Sequence, residues 1–388
     1  MRGARCLPFV AVVALLAGCG EDDAPSGPIP IGGIFTLAGP AEDESTVHGL
    51  RLAIDEINAR GGVEVGDQRR RLALRMLDDE ALPPTAVANA NELVNQRNVV
   101  ALLGPVKSTL AIPVGAVAER GGVPMITPGS TNPATTRGRT FVFRTIVTDD
   151  FQGAVAAAFA RQAIGARSAA MFYDASSPYS TGIAASFRSG FERRDGKIVA
   201  SGTYTPDQVS RTAGMRRLAR SQPDVLYLPN PASDTASQGR RARTLGMRAV
   251  LLGGDTWAEQ TFLRARAFRG SYHTAQWSPD LEDPRSLAFV AAYRRRTGDD
   301  PSQYAATAYD AAGLLAEAIT RAGRAEPAAI RAALDAVDTY EGVSGRLRYF
   351  RGGDPVASAV VVRSTRSGTK VVARLTPESI APEPTGQP

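Results

Sequence analysis

Residues 125–135 read "MITPGSTNPAT", an apolar strand pattern that changes at once to proline, glycine and small hydroxyl residues. An earlier apolar run, "VVALLG" at residues 99–104, also leads into small polar residues, in "PVKST". Such loops let a ligand approach the backbone, and the amides and hydroxyls of Ser108, Ser130 and Thr131 are donors for an anion such as a carboxylate. Ordinary turn chemistry is the alternative, because the same residue types fill loops that bind nothing.

On both sides of this stretch, strand patterns alternate with helix patterns. The first helix pattern carries Leu50, Ile54 and Ile57 on one face and ends at Gly61-Gly62. The alternation indicates βαβ units, so the predicted fold class is α/β with parallel sheets in Rossmann-like lobes. The other strand patterns are "IPIGGIFTL", "RLALRMLDD", "SAAMFYD", "KIVASGTY", "DVLYLP" and "AVLLGG".

The chain also resembles itself at an offset of 125 residues. At that offset "VVALLGPVKST" lies over "DVLYLPNPASD" and "MITPGST" over "VLLGGDT", which pairs Ser108 with Ser233 and Thr131 with Thr256. The repeated order of strand, polar loop, helix and strand predicts two lobes of similar build. A chain of 388 residues also exceeds what one hydrophobic core usually serves.

The C-terminal part predicts how the chain is divided between the lobes. Residues 284–338 are helical in pattern and need a surface to cover, so the economical path returns the chain to the first lobe, across a hinge made of several crossings. We therefore predict lobe 1 from residues 30–148 and 276–350, lobe 2 from 149–275 and 351–376, and a disordered proline-rich tail at 377–388.

The N-terminus has the pattern of a leader. Residues 1–18 combine two arginines, a short apolar run and small residues, which is typical of a secretory signal peptide. The sequence Leu16-Ala17-Gly18-Cys19 resembles a bacterial lipobox, which implies cleavage before Cys19, a lipid on its thiol and a polar tether at 19–29. An ordinary signal peptide with an incidental cysteine is the alternative. Cys6 is the only other cysteine, so no disulfide is expected.

Several function classes lack their signatures. The formal charge of +6 comes from dispersed arginines without interleaved aromatics, which argues against nucleic acid. His48 and His273 are the only histidines, so a histidine triad or metal site has few members to draw on. The segment "GPVKST" has Val106 and Ala101 where a phosphate loop needs glycines. We expect no enzyme, no cofactor and no metal.

The loops that follow the predicted strands meet at one opening, because parallel sheets bind ligands at the carboxyl ends of their strands. Asp255 lies in such a loop of the second lobe and suits a ligand ammonium, with a helix N-cap as the alternative. Trp257 is a candidate pocket wall or a packing residue. Tyr179 offers a hydroxyl and a ring face, or a structural tyrosine.

From about residue 29 to 376 the chain resembles type I periplasmic solute-binding proteins of the branched-chain amino acid (leucine/isoleucine/valine) branch, the extracellular ligand-binding receptor family. The resemblance implies two lobes around a hinge, a small ligand in the cleft and delivery to an ABC permease. The matching stretches are "GPAEDESTVHGLRLAIDEINARGGV", "LDDEALPPTAVANANELV", "GPVKSTLAIPVGAVAERGGVPMITPGSTNP", "FRTIVTDDFQG", "YDASSPYSTG" and "TAYDAAGLL".

The resemblance also implies roles for particular residues. The ligand carboxylate would meet Ser108 and the loop that holds Gly129 and Thr131, the ammonium would meet Asp255, and Tyr179 would lie near the ligand. The chain departs from the family in three places: the first loop lacks an aromatic, an expected tyrosine near Pro231 is missing, and Lys107 adds a charge beside Ser108. The loop positions are therefore better supported than leucine as the ligand.

Together these observations predict a lipid-anchored solute receptor in the periplasm or cell envelope. It would capture a small amino acid or a related carboxylate or amide and deliver it to ABC permease subunits, touching the membrane only through its lipid. The alternative is a lipoprotein that uses the same fold as an interaction module or a ligand sensor, without transport.

Overall fold

A computed structural model describes residues 27–39, 43–205, 211–258 and 261–380. The predicted signal peptide, Cys19 and most of the predicted tether lie outside these ranges, as do residues 381–388.

Within the described ranges, strands and helices alternate as the sequence predicts. The strands are β1 (Ile29–Phe35), β2 (Val63–Val65), β3 (Gln68–Arg70), β4 (Leu72–Asp78), β5 (Ala101–Leu103), β6 (Met125–Thr127), β7 (Val142–Arg144), β8 (Ser168–Asp174), β9 (Lys197–Tyr204), β10 (Val225–Tyr227), β11 (Val250–Gly253), β12 (Tyr272–Ala275), β13 (Thr339–Glu341), β14 (Arg346–Tyr349), β15 (Pro355–Val356), β16 (Ala359–Ser364) and β17 (Thr369–Leu375). The α-helices are α1 (Glu44–Ala59), α2 (Pro83–Gln96), α3 (Ser108–Gly121), α4 (Asp149–Gln162), α5 (Pro178–Glu192), α6 (Arg211–Arg220), α7 (Ala232–Thr244), α8 (Pro284–Thr297), α9 (Gln303–Ala322), α10 (Pro327–Asp335) and α11 (Pro377–Ile380). Short 3-10 helices cover Pro133–Thr135, Asp255–Trp257, Thr261–Arg264 and Arg266–Phe268.

The first lobe is built on a parallel sheet with the strand order β4-β1-β5-β6-β7. Its central strands are apolar on both faces because helices cover both sides of the sheet. One hydrophobic cluster joins α1, α9 and α10 to β1 and β5, and a second joins α2 and α3 to the opposite face.

The second lobe has a sheet of seven strands in the order β17-β16-β12-β11-β10-β8-β9. Five of them are parallel, namely β12, β11, β10, β8 and β9. Strands β16 and β17 are antiparallel additions at one edge. Helices α4 and α5 pack on one face, and α6 and α7 pack on the other. The predicted α/β fold with two Rossmann-like lobes is confirmed, with the antiparallel edge as the difference.

The chain passes between the two sheets three times: after β7, after β12 and after β15. Helix α9 packs against α1, and the small sheet β13-β14-β15 adds Leu347, Tyr349 and the following Ala357 to the first hydrophobic cluster. The predicted tail begins as the ordered helix α11, because Ile380 is buried against α4 and β17.

Candidate functional site

Two loops of the first lobe are joined by a network of small hydroxyl groups. The Thr127 hydroxyl donates to the carbonyl of Pro105 over 2.6 Å and accepts from the amide of Ser130 over 3.1 Å. Ser108, the first residue of α3, accepts from the Ser130 hydroxyl at 3.1 Å and from the Asn132 amide at 3.3 Å. Because the Ser108 oxygen accepts twice, its own proton is available to a further acceptor.

Gly129 allows these two loops to pack closely. A Cβ atom at this position would lie 2.4 Å from Cγ1 of Val106 and 3.0 Å from its carbonyl oxygen. There is therefore no room for a side chain at residue 129, and Gly129 packs directly against the loop that holds Val106.

Arg144, at the end of β7, holds the loop after β6 in place. Its guanidinium is fully buried and donates to the carbonyls of Ser130 over 2.6 Å and Asn132 over 3.0 Å, and to the Thr136 hydroxyl over 2.8 Å. Its Nε lies 2.7 Å from a carboxylate oxygen of Asp354. Burial lowers the pKa of Arg144, and the charge of Asp354 opposes that shift. No sequence pattern marked Arg144, which ends an ordinary apolar strand.

Tyr179 and Asp255 are brought together in the second lobe. Tyr179 is the second residue of α5, after the N-cap Ser177 and Pro178, and its hydroxyl lies 3.5 Å from the hydroxyl of Thr256. Burial raises the pKa of Tyr179 well above its usual range, and the charge of Asp255 adds to the shift. Tyr179 is therefore a protonated donor at neutral pH.

Asp255 is a buried carboxylate that also contacts the first lobe. Its Oδ2 accepts from the hydroxyl of Tyr304 over 3.2 Å, and its backbone carbonyl accepts from Nε2 of Gln303 over 3.1 Å. The N-cap of the 3-10 helix is Gly254, so Asp255 does not have the capping role that the sequence left open. Burial raises the pKa of Asp255. Tyr179, Gln152 and Tyr304 oppose this rise, because hydrogen bonds from these side chains favour the charged carboxylate.

Trp257 lies away from these groups, in the hydrophobic core of the second lobe. Its ring is fully buried among Phe262, Phe268 and His273, and its indole nitrogen donates to the carbonyl of Leu228 over 3.1 Å. Of the two roles that the sequence allows, the structure gives Trp257 the packing role.

The groups around Asp255 include buried polar atoms that have no hydrogen bond of ordinary geometry within the described residues. A buried polar atom without such a bond is rare and costly, so the cluster favours a ligand that completes its hydrogen bonds, although Thr131 faces Asp149 and Gln152 faces Asp255 within it. One belongs to Thr131 in the first lobe and the others to the second lobe: Thr131 Oγ1, Asp149 Oδ1 and Oδ2, Gln152 Nε2, Tyr227 OH and Asp255 Oδ1.

Asp149 and Gln152 are part of this cluster although the sequence analysis did not name them. Both lie on the first turns of α4, which begins after the N-cap Thr148, and both are fully buried. Burial raises the pKa of Asp149 well above its usual range, while the Thr131 hydroxyl lowers it and the charge of Asp255 raises it further. The stretch "FRTIVTDDFQG" was the available signal, but a helix start with two acids also has an ordinary reading as a cap.

The two lobes touch at this cluster. The Asn132 amide group donates to the carbonyl of Pro178 over 2.7 Å, and the Asp149 amide donates to the carbonyl of Thr131 over 2.8 Å. Ser108, Ser130 and Thr131 therefore lie on one side of the junction, and Tyr179 and Asp255 on the other.

A second cluster lies beside Ser108. The Lys107 ammonium donates to the Thr36 hydroxyl over 3.1 Å and lies 3.8 Å from Asp43. Burial raises the pKa of Asp43 to about 6, and the charge of Lys107 opposes the shift. In the part of the chain that the structure describes, no three His, Cys, Asp or Glu side chains are placed to hold a metal ion. None of its helices has the length and apolarity needed to cross a membrane.

Residues 28–369 match the periplasmic binding protein family. The chain is 30% identical to the Leu/Ile/Val-binding protein BraC3 of Rhizobium johnstonii over 352 residues, covering 89% of this chain and 93% of that protein. It is 28% identical to the leucine-, isoleucine-, valine-, threonine- and alanine-binding protein of Pseudomonas aeruginosa, covering 91% of this chain and 94% of that protein.

Solved structures agree with these relatives. The leucine-binding protein LivK of Thermotoga maritima superposes with a TM-score of 0.83 at 27% identity, covering 90% of this chain and 99% of that chain. LivJ of Streptococcus pneumoniae, solved in complex with isoleucine, gives a TM-score of 0.80 at 27% identity over 90% of this chain and 99% of that chain. The class that fold and site define is a two-lobed solute-binding protein, not an enzyme. This chain belongs to the periplasmic binding protein family.

Proposed function

We propose that the protein captures a small α-amino acid between its two lobes. The ligand carboxylate would accept from the Ser108 hydroxyl and from the loop that holds Gly129, Ser130 and Thr131. The ligand ammonium would donate to Asp255, with Tyr179 beside it. A charge-assisted hydrogen bond to such a group contributes roughly 1.5–3 kcal/mol.

The observation that carries the proposal is the cluster of unpartnered polar atoms at the junction of the lobes. Asp255 Oδ1 and Thr131 Oγ1 belong to different lobes, and both are buried without a hydrogen bond of ordinary geometry within the described residues, with Thr131 facing Asp149 and Asp255 facing Tyr179, Gln152 and Tyr304. A small molecule with an ammonium and a carboxylate offers a donor to the first and an acceptor to the second. Contacts made to both lobes favour their closure over the ligand.

The ligand class follows from the relatives. Their names state binding of leucine, isoleucine, valine, threonine or alanine, and the structure of LivJ contains isoleucine. We propose a ligand from this group or one of similar size, such as a related carboxylate or amide. The side-chain preference is expected to reflect two departures from the family pattern, the charge of Lys107 and the missing family tyrosine near Pro231.

Delivery and location complete the proposal. Family membership indicates a periplasmic or extracellular protein. We propose cleavage before Cys19, a lipid anchor on its thiol and presentation of the ligand to ABC permease subunits.

A thermal-shift screen of the mature chain against the twenty amino acids tests ligand capture. A ligand that binds only the folded state at one hundred times its Kd adds about 2.7 kcal/mol of stability, so a true ligand raises Tm by several degrees. Titration calorimetry then gives the Kd of each hit. Urea, acetamide and benzoate extend the panel. If neither an amino acid nor a related carboxylate or amide raises Tm, the proposal is wrong.

A further inference from the structure

Positive charge is concentrated in one part of the second lobe. Residues 211–270 contain eleven arginines and four acids, a net charge of +7, whereas the whole chain carries +6. Arginines occur throughout the rest of the chain too, but acids balance them there; on α8, Arg294 and Arg296 pair with Asp300 and Asp55. Like charges that lie close together repel each other, so a cluster of them on one surface favours a partner of the opposite charge.

The topology of the second sheet brings these arginines to one face. The connections from β9 to β10, from β10 to β11 and from β11 to β12 all advance in the same direction across the sheet, so right-handed crossovers place them on the same side. They hold α6, α7 and the 3-10 helices of residues 261–268, which share one hydrophobic cluster. Met215 and Leu218 of α6 and Ala242 of α7 lie in that cluster, and the exposed arginines lie on the solvent side. We call the solvent side of α6, α7 and residues 264–269 the basic face.

The parts of the basic face are fixed to each other. The guanidinium of Arg243 on α7 donates to the carbonyl of Ala267 over 3.1 Å and to that of Met247 over 2.9 Å. Gly239 packs against the ring of Phe268 and leaves no room for a side chain between them. The fold therefore sets the spacing of the charges on this face.

The exposed arginines of the basic face have no counter-ions in the part of the chain that the structure describes. Asp224 accepts from the amides of Arg167 and Ser168, and Asp234 accepts from the hydroxyl of Tyr204. These two acids are thus engaged by other groups. Neither an ion pair nor a side-chain hydrogen bond is formed, within the described residues, by six exposed arginines on α6 and after β11: Arg216, Arg217, Arg220, Arg264, Arg266 and Arg269.

The basic face offers charge without apolar anchors. A protein partner is usually held by a few buried aromatic or aliphatic anchors, and single-stranded nucleic acid by stacking on aromatic rings. None of the large apolar side chains that the described residues expose belongs to the basic face: Leu82, Leu287, Phe350 and Val372. A surface of this kind suits an array of negative headgroups, which attracts each basic side chain near it.

We propose that the basic face binds the surface of a membrane that contains anionic phospholipids, whose phosphates accept hydrogen bonds from the guanidinium groups. Family membership indicates a periplasmic or extracellular protein, which has a membrane beside it. The inference is independent of ligand capture and of the lipid on Cys19, since it needs only the exposed arginines. From the sequence we expected the lipid to be the only membrane contact, and the basic face adds a second one.

Binding through this face orients the receptor. The helices of the basic face cover one side of the second sheet, so the sheet lies parallel to the membrane. The carboxyl ends of its strands, at the junction of the lobes, then point along the membrane plane. A receptor held in this way keeps its cleft within reach of a membrane-embedded permease.

Sedimentation with vesicles tests the proposal on the mature full chain carrying Cys19→Ala, so that no lipid on the protein contributes. Vesicles of pure phosphatidylcholine are compared with vesicles that contain about one third phosphatidylglycerol, because anionic lipid supplies the attraction. At low salt the chain should partition at least about tenfold more tightly onto the anionic vesicles. That preference should vanish in about 1 M salt, where the Debye length is about 3 Å.

Two sets of substitutions locate the binding surface. Each set should weaken partitioning onto anionic vesicles at least about tenfold, because it removes three of the charges. Agreement between the two sets excludes a local folding effect in one element, and thermal unfolding checks that each variant is folded. The first set combines Arg216→Gln, Arg217→Gln and Arg220→Gln, and the second combines Arg264→Gln, Arg266→Gln and Arg269→Gln.

A matched control removes the same charge elsewhere. Arg51→Gln, Arg71→Gln and Arg295→Gln combine three exposed arginines that form no ion pair within the described residues. This variant should change the partition coefficient less than about twofold.

Three results would overturn the proposal. The first is equal partitioning onto both kinds of vesicle, or binding that survives high salt. The second is a control variant that loses as much affinity as the two sets on the basic face, since net charge alone would then decide. The third is binding to soluble polyglutamate or duplex DNA without binding to anionic vesicles, which would assign the face to a macromolecular polyanion.

Discussion

At the scale of single residues, Asp255 is the group on which the proposed capture of an amino acid depends. One of its carboxylate oxygens accepts from Tyr304 and the other has no hydrogen bond of ordinary geometry within the described residues. Tyr179, Gln152 and Tyr304 surround it with donors that favour its charged form against the effect of burial. The carboxylate is therefore positioned by its neighbours before the ligand arrives, which lowers the cost of ordering on binding.

Asp255→Ala should weaken amino-acid binding by at least about tenfold to a hundredfold while the fold is retained. Loss of a charge-assisted bond of roughly 1.5–3 kcal/mol corresponds to about a tenfold to a hundredfold weaker Kd, and loss of the buried charge removes the match to the ammonium as well. Calorimetry with the tightest amino acid from the screen measures the effect. Asp195→Asn, an exposed acid of the same lobe, is the control. An undiminished affinity in Asp255→Ala would remove the ammonium assignment.

At the scale of elements, β7 and the loop after β6 form one unit through Arg144. The guanidinium donates to two carbonyls and one hydroxyl of the loop and pairs with Asp354, near the third passage of the chain between the sheets. Lysine cannot replace the planar guanidinium, because its ammonium is a compact point charge that cannot reach all of these acceptors at once.

Arg144→Lys should destabilise the protein by roughly 3 kcal/mol, because several buried acceptors lose their donors. Asp354→Asn should cost less, since the Asp354 side chain is 43% exposed and water screens its charge. Urea unfolding gives both values. Arg295→Lys, at an exposed position of α8, serves as the matched control and should change stability by less than about 0.5 kcal/mol. If Arg144→Lys lost no more stability than the control, the loop would be shown to keep its shape without the guanidinium.

At the scale of the whole molecule, His273 links stability to pH. It is buried in the second lobe, and burial lowers its pKa to about 3. The unfolded chain therefore binds a proton at this residue below about pH 6.5, whereas the folded protein stays neutral there. The resulting contribution to stability is complete above pH 6.5 and falls as the pH drops towards 3.

His273→Phe should make the free energy of unfolding less dependent on pH between 6.5 and 4. The wild type should lose about 1.4 kcal/mol more per pH unit in the lower part of that range, because one extra proton binds on unfolding. Chemical denaturation at several pH values provides the comparison, with His48→Phe as the control at the other histidine. Parallel pH curves for the wild type and His273→Phe would contradict the expectation.

The proposed anchor also belongs to this scale. The wild-type precursor should fractionate with membranes and incorporate labelled fatty acid, because one lipid-modified cysteine is the only covalent membrane anchor we propose. Cys19→Ala should abolish the labelling and release the mature chain from membranes washed at high salt, and Cys6→Ala should change neither result. Labelling of Cys19→Ala would show that the lipid, if present, is attached elsewhere.

The division of the chain between the lobes stays a prediction. Asp354 and Ala357 contact the first lobe, and β16 joins the second sheet only from Ala359, so the structure favours a third crossing some residues after the predicted boundary at 350. The sequence around residue 350 is polar and rich in glycine, and such a stretch carries no periodicity from which a boundary can be read.

The sequence by itself determined the α/β fold and the two similar lobes, and it predicted the loops that we propose for the site. Local pattern is enough for these features, because hydrophobic period and turn residues act between near neighbours in the chain. It also indicated Ser108, Ser130, Thr131, Tyr179 and Asp255, since each follows a strand that ends at the junction.

Only the tertiary structure decided which candidates share an environment. It placed Trp257 in the core, buried Asp149 and Gln152 beside Asp255, and bound Arg144 to a loop whose shape it controls. Burial and unsatisfied hydrogen bonds depend on atoms far apart in sequence, so a strand end or a helix start looks alike whether it faces water or the other lobe.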